Sequence, residues 1–482
     1  MSISTIIKTI QDIMRQDVGV DGDAQRIGQL VWLFFLKIFD DQEQEAELLE
    51  DHYRSPIPVR LQWRNWAADP EGMTGDELLE FVNNILFPGL KTVQPRTESD
   101  KAALVVRSVF EDAYQYMKSG TLLRQVINKV NAIDFNRQDD RHLFGDIYEK
   151  LLKDLQSAGN AGEYYTPRAV TQFMVDRVDP RLGEQVLDPA CGTGGFLASA
   201  IDHMRARYVK TPEDEARLQA SIHGVEKKPL PHLLAVTNML LHGIPAPINI
   251  RHDNTLARPL RDYGLADRVE VIVTNPPFGG MEEDGTEKNF PAQFQTKETA
   301  DLFLVLIMHL LKPGGRAAVV LPDGTLFGEG VKSRIKEKLL TDCNLHTIVR
   351  LPNGVFNPYT GIKTNLLFFT KGEPTRETWY YEHPYPAGYK SYSKTKPMRF
   401  EEFAPEQAWW EARQENEQAW RVPVATFQKN GFNLDIKNPH NADAGHGDPD
   451  DLLAAYQKRL EQVQEVRDQL RAVLAEALER HP

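Results

Sequence analysis

The run Val269-Glu-Val-Ile-Val-Thr-Asn-Pro-Pro-Phe278 is apolar and β-branched and stops abruptly at Asn-Pro-Pro-Phe. It predicts a strand buried on both faces within a parallel sheet, delivering a short polar turn at its carboxyl end. Neither Pro276 nor Pro277 donates a backbone hydrogen bond. Pro277 also holds Pro276 away from the helical region, so the Pro276 carbonyl stays extended and available as an acceptor. The Asn275 carboxamide oxygen is a second acceptor, and the Phe278 ring follows. Two acceptors beside an aromatic face suit a planar heterocycle that carries an amino group. Adenine meets that description. By itself Pro-Pro merely ends a strand; the flanking sequence makes it more.

Upstream, Gln185-Val-Leu-Asp-Pro-Ala-Cys-Gly-Thr-Gly-Gly-Phe196 reads as a strand, a glycine-rich turn and a helix. Glycines let the backbone approach a ligand closely, and the helix that follows offers unpaired amides. The glycine spacing is not that of the dinucleotide fingerprint, and no Gly-Lys-Ser/Thr follows as in a phosphate-binding loop. Asp188, ending the strand, suits a ligand with a charged amine. This points to S-adenosyl-L-methionine. Two more short strands end in acids. Glu226 closes Ser221-Ile-His-Gly-Val-Glu226, where such folds place an acceptor for ribose hydroxyls. Asp253 closes Ile248-Asn-Ile-Arg-His-Asp253, within reach of the cofactor's adenine amine. Before them, Thr166 is expected to cap a helix over 168–178, with Pro167 at its first position.

Beyond Phe278, residues 279–299 are polar and glycine-bearing and read as a loop over the pocket. An apolar helix over 301–311, a stop at Lys312-Pro-Gly-Gly315, and strands over 316–322, 346–351 and 364–370 complete about seven strands. Helices between the early ones make the fold class α/β, a doubly wound sheet. Ligands of such sheets sit at the carboxyl ends of the strands, where Asp188 and Asn275 both fall.

The 482 residues exceed one typical domain. Residues 1–140 lack strong strand signals, and apolar spacings of three and four predict helices over 24–50, 76–87, 101–118 and 121–130, with Leu61-Gln-Trp-Arg-Asn-Trp66 bridging two of them. Another helix is expected over 142–155, then a glycine-rich hinge at 158–162. We divide the chain into a helical N-terminal domain (1–140), the sheet domain (141–400) and a C-terminal segment (401–482). In that last segment Leu453, Tyr456, Leu460, Val463, Leu470, Leu474 and Ala477 form an apolar stripe, broken at Arg467, beyond a linker over 438–449. With no signal peptide and no long uncharged apolar run, a cytoplasmic protein without a membrane partner is expected. Cys191 and Cys343 are the only cysteines and have no metal-ligand spacing, so reduced thiols and no metal site are expected. A net charge of −13 argues against tight autonomous binding to nucleic acid, which relies on Lys and Arg neutralising phosphates.

Tyr-Tyr-Thr-Pro167, then Asp-Pro-Ala-Cys-Gly-Thr-Gly-Gly-Phe196, then Asn-Pro-Pro-Phe278 resembles the amino-methyltransferases of DNA. More narrowly, Leu351-Pro-Asn-Gly-Val-Phe356, Thr364-Asn-Leu-Leu-Phe-Phe-Thr-Lys-Gly372 and Gly431-Phe-Asn-Leu-Asp-Ile-Lys-Asn-Pro439 are similar to landmarks of the modification (M) subunit of type I restriction-modification systems. The resemblance covers nearly the whole chain. It implies an S-adenosylmethionine-dependent methyltransferase sheet with helical N-terminal and C-terminal parts. The implied activity is methylation of adenine at its exocyclic nitrogen in DNA, with base flipping. It also implies a specificity (S) subunit that chooses the sequence, a second copy of the M subunit, and a restriction (R) subunit in the full complex. By matching motif, Asn275, Pro276, Pro277 and Phe278 are the catalytic candidates. The cofactor candidates are Gly162, Glu163, Tyr164, Tyr165, Thr166, Pro167, Asp188, Thr193, Gly194, Gly195, Phe196, Glu226 and Asp253, with Tyr165 to Pro167 near the methionine end. A protein-glutamine methyltransferase, whose substrate amide is also planar, and an assembly subunit with a vestigial pocket are the competing readings.

Overall fold

The computed structural model describes residues 3–49, 51–97, 100–111, 113–135, 148, 166–357, 361–393 and 396–440, and in the tail 453, 456–457, 459–464 and 466–471. Two units emerge, Met1–Ile436 and Lys437–Pro482.

Helices fill the beginning of the first unit, the main ones being Ile3–Met14, Asp23–Leu49, Gly75–Phe81, Lys101–Glu111 and Gly120–Val130. The expected apolar face on 24–50 becomes burial all round between Ile27 and Leu36, because other helices cover one side and the sheet domain the other. Helix Asp23–Leu49 packs against helix Pro229–Leu241, where Gln42 donates to the Leu240 carbonyl at 3.1 Å. Trp63 and Trp66 are buried in the short helix Trp63–Trp66, as the bridge between helices requires. The helix expected over 101–118 stops at Glu111. Its continuation is captured by side chains from elsewhere: Gln29 Oε1 accepts the Tyr116 amide at 2.8 Å, and Asp17 accepts those of Lys118 and Ser119 at 2.9 and 2.8 Å. The helix expected over 142–155 and the hinge at 158–162 lie outside the described residues, apart from Tyr148, which is buried and donates to the Leu234 carbonyl at 3.0 Å.

The sheet has nine strands: β1 (Val186–Asp188), β2 (Ile222–Glu226), β3 (Ile250–His252), β4 (Val269–Thr274), β5 (Leu311–Pro322), β6 (Cys343–Arg350), β7 (Thr364–Lys371), β8 (Glu377–Glu382) and β9 (Ala419–Pro423). Their order is β3-β2-β1-β4-β5-β7-β6-β8-β9. The first five are mutually parallel, β7 runs antiparallel to β5 and β6, and β9 antiparallel to β8. The chain winds outward from β1 through β2 to β3, then returns to place β4 on β1's other side. Right-handed crossovers therefore put the helices of the two halves on opposite faces and make the ends of β1 and β4 the switch point. Lys312-Pro-Gly-Gly315 forms a bulge inside β5, since Val269 faces Leu311 and Val271 already faces Arg316.

Seven strands follow the sequence reading; β8 and β9 are additional. Thr378-Trp-Tyr-Tyr381 carries the aromatic, β-branched signature of a strand. Trp420 of β9 stacks on Tyr380 of β8, centroids 5.2 Å apart and 12° between planes. The first unit runs on past β9 to Ile436.

Candidate active site

β1 ends in Asp188, which is 1% exposed in the floor of the switch-point crevice. Its Oδ1 accepts the Ala190 amide at 3.1 Å. Burial pushes this carboxyl up to about 7; the Thr274 hydroxyl and the Ala190 amide pull it down, and the charge of Glu226 adds to the rise. The turn that follows needs its glycines, with φ of 53° at Gly192 and 79° at Gly194. A Cβ on Gly194 would also meet Met239 Cε at 3.1 Å. Gly194 caps helix Gly195–Arg207, whose amino terminus faces the crevice.

Two links tie this turn to β2. The Cys191 amide donates to the Val225 carbonyl at 2.9 Å, and the Gly192 amide to Glu226 Oε2 at 2.9 Å. Glu226 Oε1 takes the Lys228 amide at 2.8 Å, so the carboxylate is oriented by backbone on both sides. Burial raises its pKa against the pull of these amides. The Cys191 thiol is buried and its pKa is pushed well up by that burial, which leaves it inert.

β4 delivers Asn275 from the other side. Its Nδ2 donates to Thr166 Oγ1 at 3.0 Å, and its Oδ1 is buried with no hydrogen-bond donor among the described residues. A buried carboxamide oxygen without a donor is costly unless a ligand supplies one. The Thr166 contact corrects the expected helix start. Pro167 is the cap and Arg168 the first helical residue, with no side-chain cap bond; the Thr166 hydroxyl oxygen instead accepts from Asn275.

These elements enclose a cleft of ≈280 Å³. Of the residues singled out in the sequence, Thr166, Asp188, Thr193, Gly195, Phe196, Glu226, Asn275, Pro276 and Pro277 line it. Pro167, Gly194, Asp253 and Phe278 do not. Asp253 stands beside Glu226 through its backbone, its amide donating to the Glu226 carbonyl at 2.9 Å, while its Oδ1 takes the Asn254 amide at 2.8 Å. Phe278 is 1% exposed and meets Phe356 edge-on, centroids 6.4 Å apart and 83° between planes. Gly162, Glu163, Tyr164 and Tyr165 lie outside the described residues. Sequence reasoning did not single out Lys227, Lys228 or Pro231, and covered Met281 and Glu282 only as part of the loop over 279–299; all five line the cleft. Each follows within five residues of Glu226 or Phe278, so adjacency to those residues was the available signal. Among the described residues no cluster of His, Cys, Asp and Glu is placed to hold a metal, and no helix is long and apolar enough to cross a membrane.

The model of the N-6 DNA Methylase family matches residues 139–447, and that of the HsdM N-terminal domain matches residues 3–130. The methylase subunit of the type I restriction enzyme EcoEI from Escherichia coli is 64% identical over 485 aligned positions, covering 99% of both chains. A modification subunit of a putative type I restriction enzyme from Vibrio vulnificus, known as a crystal structure, is 46% identical with a TM-score of 0.83, over 91% of this chain and 96% of that one. A chain from structural work on complex assembly and conformational transition of the type I R-M system is 38% identical with a TM-score of 0.81, over 100% of this chain and 99% of the other. The chain belongs to the N-6 DNA methylase family and is a methylase (modification) subunit of a type I restriction-modification system, an N6-adenine DNA methyltransferase.

Proposed function

We propose that the switch-point cleft binds S-adenosyl-L-methionine, and that the methyl group goes to N6 of an adenine turned out of the duplex and held by Asn275, Pro276, Pro277 and Phe278. The observation that carries this reading is the Asn275 side chain. Its amide nitrogen is pinned by Thr166 and its oxygen is buried without a donor among the described residues, at the wall of a cleft that also holds Asp188 and Glu226. An amino group fits there; another acceptor does not.

In this reading Asp188 takes the α-ammonium of the cofactor, and Glu226, held by two backbone amides, takes the ribose hydroxyls. Thr166, Thr193, Gly195 and Phe196 enclose the rest. Asp253 is a weaker contact to the cofactor's adenine, since its carboxylate is already engaged by Asn254. Bound S-adenosylmethionine supplies a methyl carbon on a positively charged sulfur. Flipping the target adenine costs a few kcal/mol, and Phe278 offers a stacking surface worth about 1–3 kcal/mol once the base displaces what now covers the ring. The N6 lone pair is delocalised into the ring and is a poor nucleophile. Accepting both amine hydrogens, at Asn275 Oδ1 and the Pro276 carbonyl, favours a pyramidal nitrogen with its lone pair aimed at the methyl carbon. With the cofactor bound, Asn275 and Pro276 would hold N6 in line with the methyl carbon it supplies, and the surplus proton on N6 would leave to water. Alignment for this in-line displacement supplies much of the rate.

A specificity subunit chooses the sequence and, with a second M subunit, completes the methyltransferase; a restriction subunit joins for cleavage. The acidic net charge of −13 agrees with a partner supplying much of the grip on DNA. The test is Asn275→Ala in the assembled complex, assayed by transfer of tritiated methyl to DNA and by calorimetric titration with S-adenosylmethionine. Transfer should fall at least about a hundredfold, on the scale of losing a positioned electrostatic contact, while cofactor affinity stays within a few-fold. A parallel loss of cofactor affinity would place Asn275 in the wrong half of the site.

A further inference from the structure

Lys227 has no part in the roles given above, yet it spans the mouth of the cleft. It directly follows Glu226 at the end of β2 and lines the cavity. Its Nζ lies 3.2 Å from Glu282 Oε2 and 3.2 Å from Glu283 Oε1. Those acids belong to the segment that leaves Phe278, whose Gly280, Met281 and Glu282 form the facing wall. In the sheet β1 lies between β2 and β4. An ion pair from the end of β2 to the segment after β4 therefore crosses over β1 and its glycine turn.

The segment is anchored at its base. The Glu282 amide donates to the Lys297 carbonyl at 3.2 Å, and the Thr299 hydroxyl to the Gly280 carbonyl at 3.0 Å. Over the cleft itself apolar packing contributes little, since Met281 is 77% exposed. The Glu282 side chain is 12% exposed and that of Lys227 42%. The pair is thus partly shielded, strong enough to hold a loop and weak enough to part.

We propose that Lys227, through Glu282 and Glu283, fastens the segment after the catalytic turn across the cleft and thereby sets how long S-adenosylmethionine, or the demethylated product, stays bound. Lys227 is a positioning residue; the inference rests on the reading of the cleft as the cofactor site. Because the fastening is ionic, release accelerates as salt screens it.

The experiment measures release of S-adenosylhomocysteine from the full chain by stopped-flow competition at low and high salt. Lys227→Met should release it roughly two- to fivefold faster at low salt, the range of a partly exposed ion pair, with little further acceleration by salt. The charge-reversed triple variant Lys227→Glu, Glu282→Lys, Glu283→Lys should restore slow, salt-sensitive release. Backbone amide exchange at residues 280–283 of the cofactor-free chain reads the fastening directly: faster in Lys227→Met, restored in the reversed variant. Tight binding with unchanged release and exchange in Lys227→Met overturns the inference alone. No measurable binding by the unaltered chain overturns the cofactor reading, and the inference with it.

Discussion

Asp188 carries its ionisation state as a measurable property. Burial holds its carboxyl near 7, far above the ordinary carboxylate range. Between that range and 7 the folded, ligand-free chain binds a proton that the unfolded chain has lost, so this group's contribution to stability declines as pH rises through the window. A cationic ammonium binds the ionised form. Above about pH 7 that form is already present and affinity is flat; below it a proton must be expelled, and affinity falls up to about tenfold per unit. S-adenosylmethionine should therefore bind more weakly at about pH 6 than at about pH 7.5, and Asp188→Asn should both weaken binding and flatten the profile. A pH-independent affinity in the unaltered chain would remove Asp188 from the ammonium. At this scale the sequence was informative wherever a distinctive residue type ended a strand, as at Asp188, Glu226 and Asn275. Thr166 was misread as a cap because its partner, Asn275, is 109 residues away.

At the scale of elements, periodicity located the helices and long-range side chains set where they end. Asp17, 3% exposed, accepts the amides of Gly19, Lys118 and Ser119 at 2.8, 2.9 and 2.8 Å. It joins the end of the first helix to the start of helix Gly120–Val130. Asp17→Ala leaves three amides without their acceptor and should destabilise the helical region by about 2–4 kcal/mol. A lowered urea midpoint with an unchanged slope would record it, and a midpoint equal to that of the parent would show that water replaces the carboxylate. The aromatic run of β8 is a strand signal that the sequence reading left unused, whereas β9 pairs along β8 and stacks Trp420 on Tyr380. The proline that closes Ala419-Trp-Arg-Val-Pro423 argues against a strand there until its neighbour is known.

For the whole molecule the boundary that matters is Ile436/Lys437. On the near side, Arg350 at the end of β6 pairs with Asp435 at 2.6 Å and donates to the Ile436 carbonyl at 2.9 Å, so the segment from Gly431 is tied to the sheet. On the far side, Leu453, Tyr456, Leu460, Val463 and Leu470 are between 50% and 63% exposed, and Leu474 and Ala477 lie outside the described residues. An exposed apolar stripe of this kind calls for a partner, and in our reading the partner is the specificity subunit. Truncation after Ala444 removes the stripe and keeps the compact unit. The shortened chain should fold and bind S-adenosylmethionine, but it should no longer copurify with a co-expressed specificity subunit or methylate DNA. Undiminished recovery of the complex would place the assembly surface elsewhere.

Sequence alone determined the class of sheet, the order of its first seven strands along the chain, and the chemical types brought to the strand ends. Those depend on patterns a few residues long: β-branched runs, a glycine-rich turn, prolines that end a strand. Only the tertiary structure decided that Thr166 orients Asn275, that Phe278 is covered, that β8 and β9 extend the sheet, and that Lys227 reaches across β1 to Glu282. Each of these joins residues distant in sequence, and such a contact leaves no local periodicity, because it exists only once the sheet has fixed the distance between its strand ends.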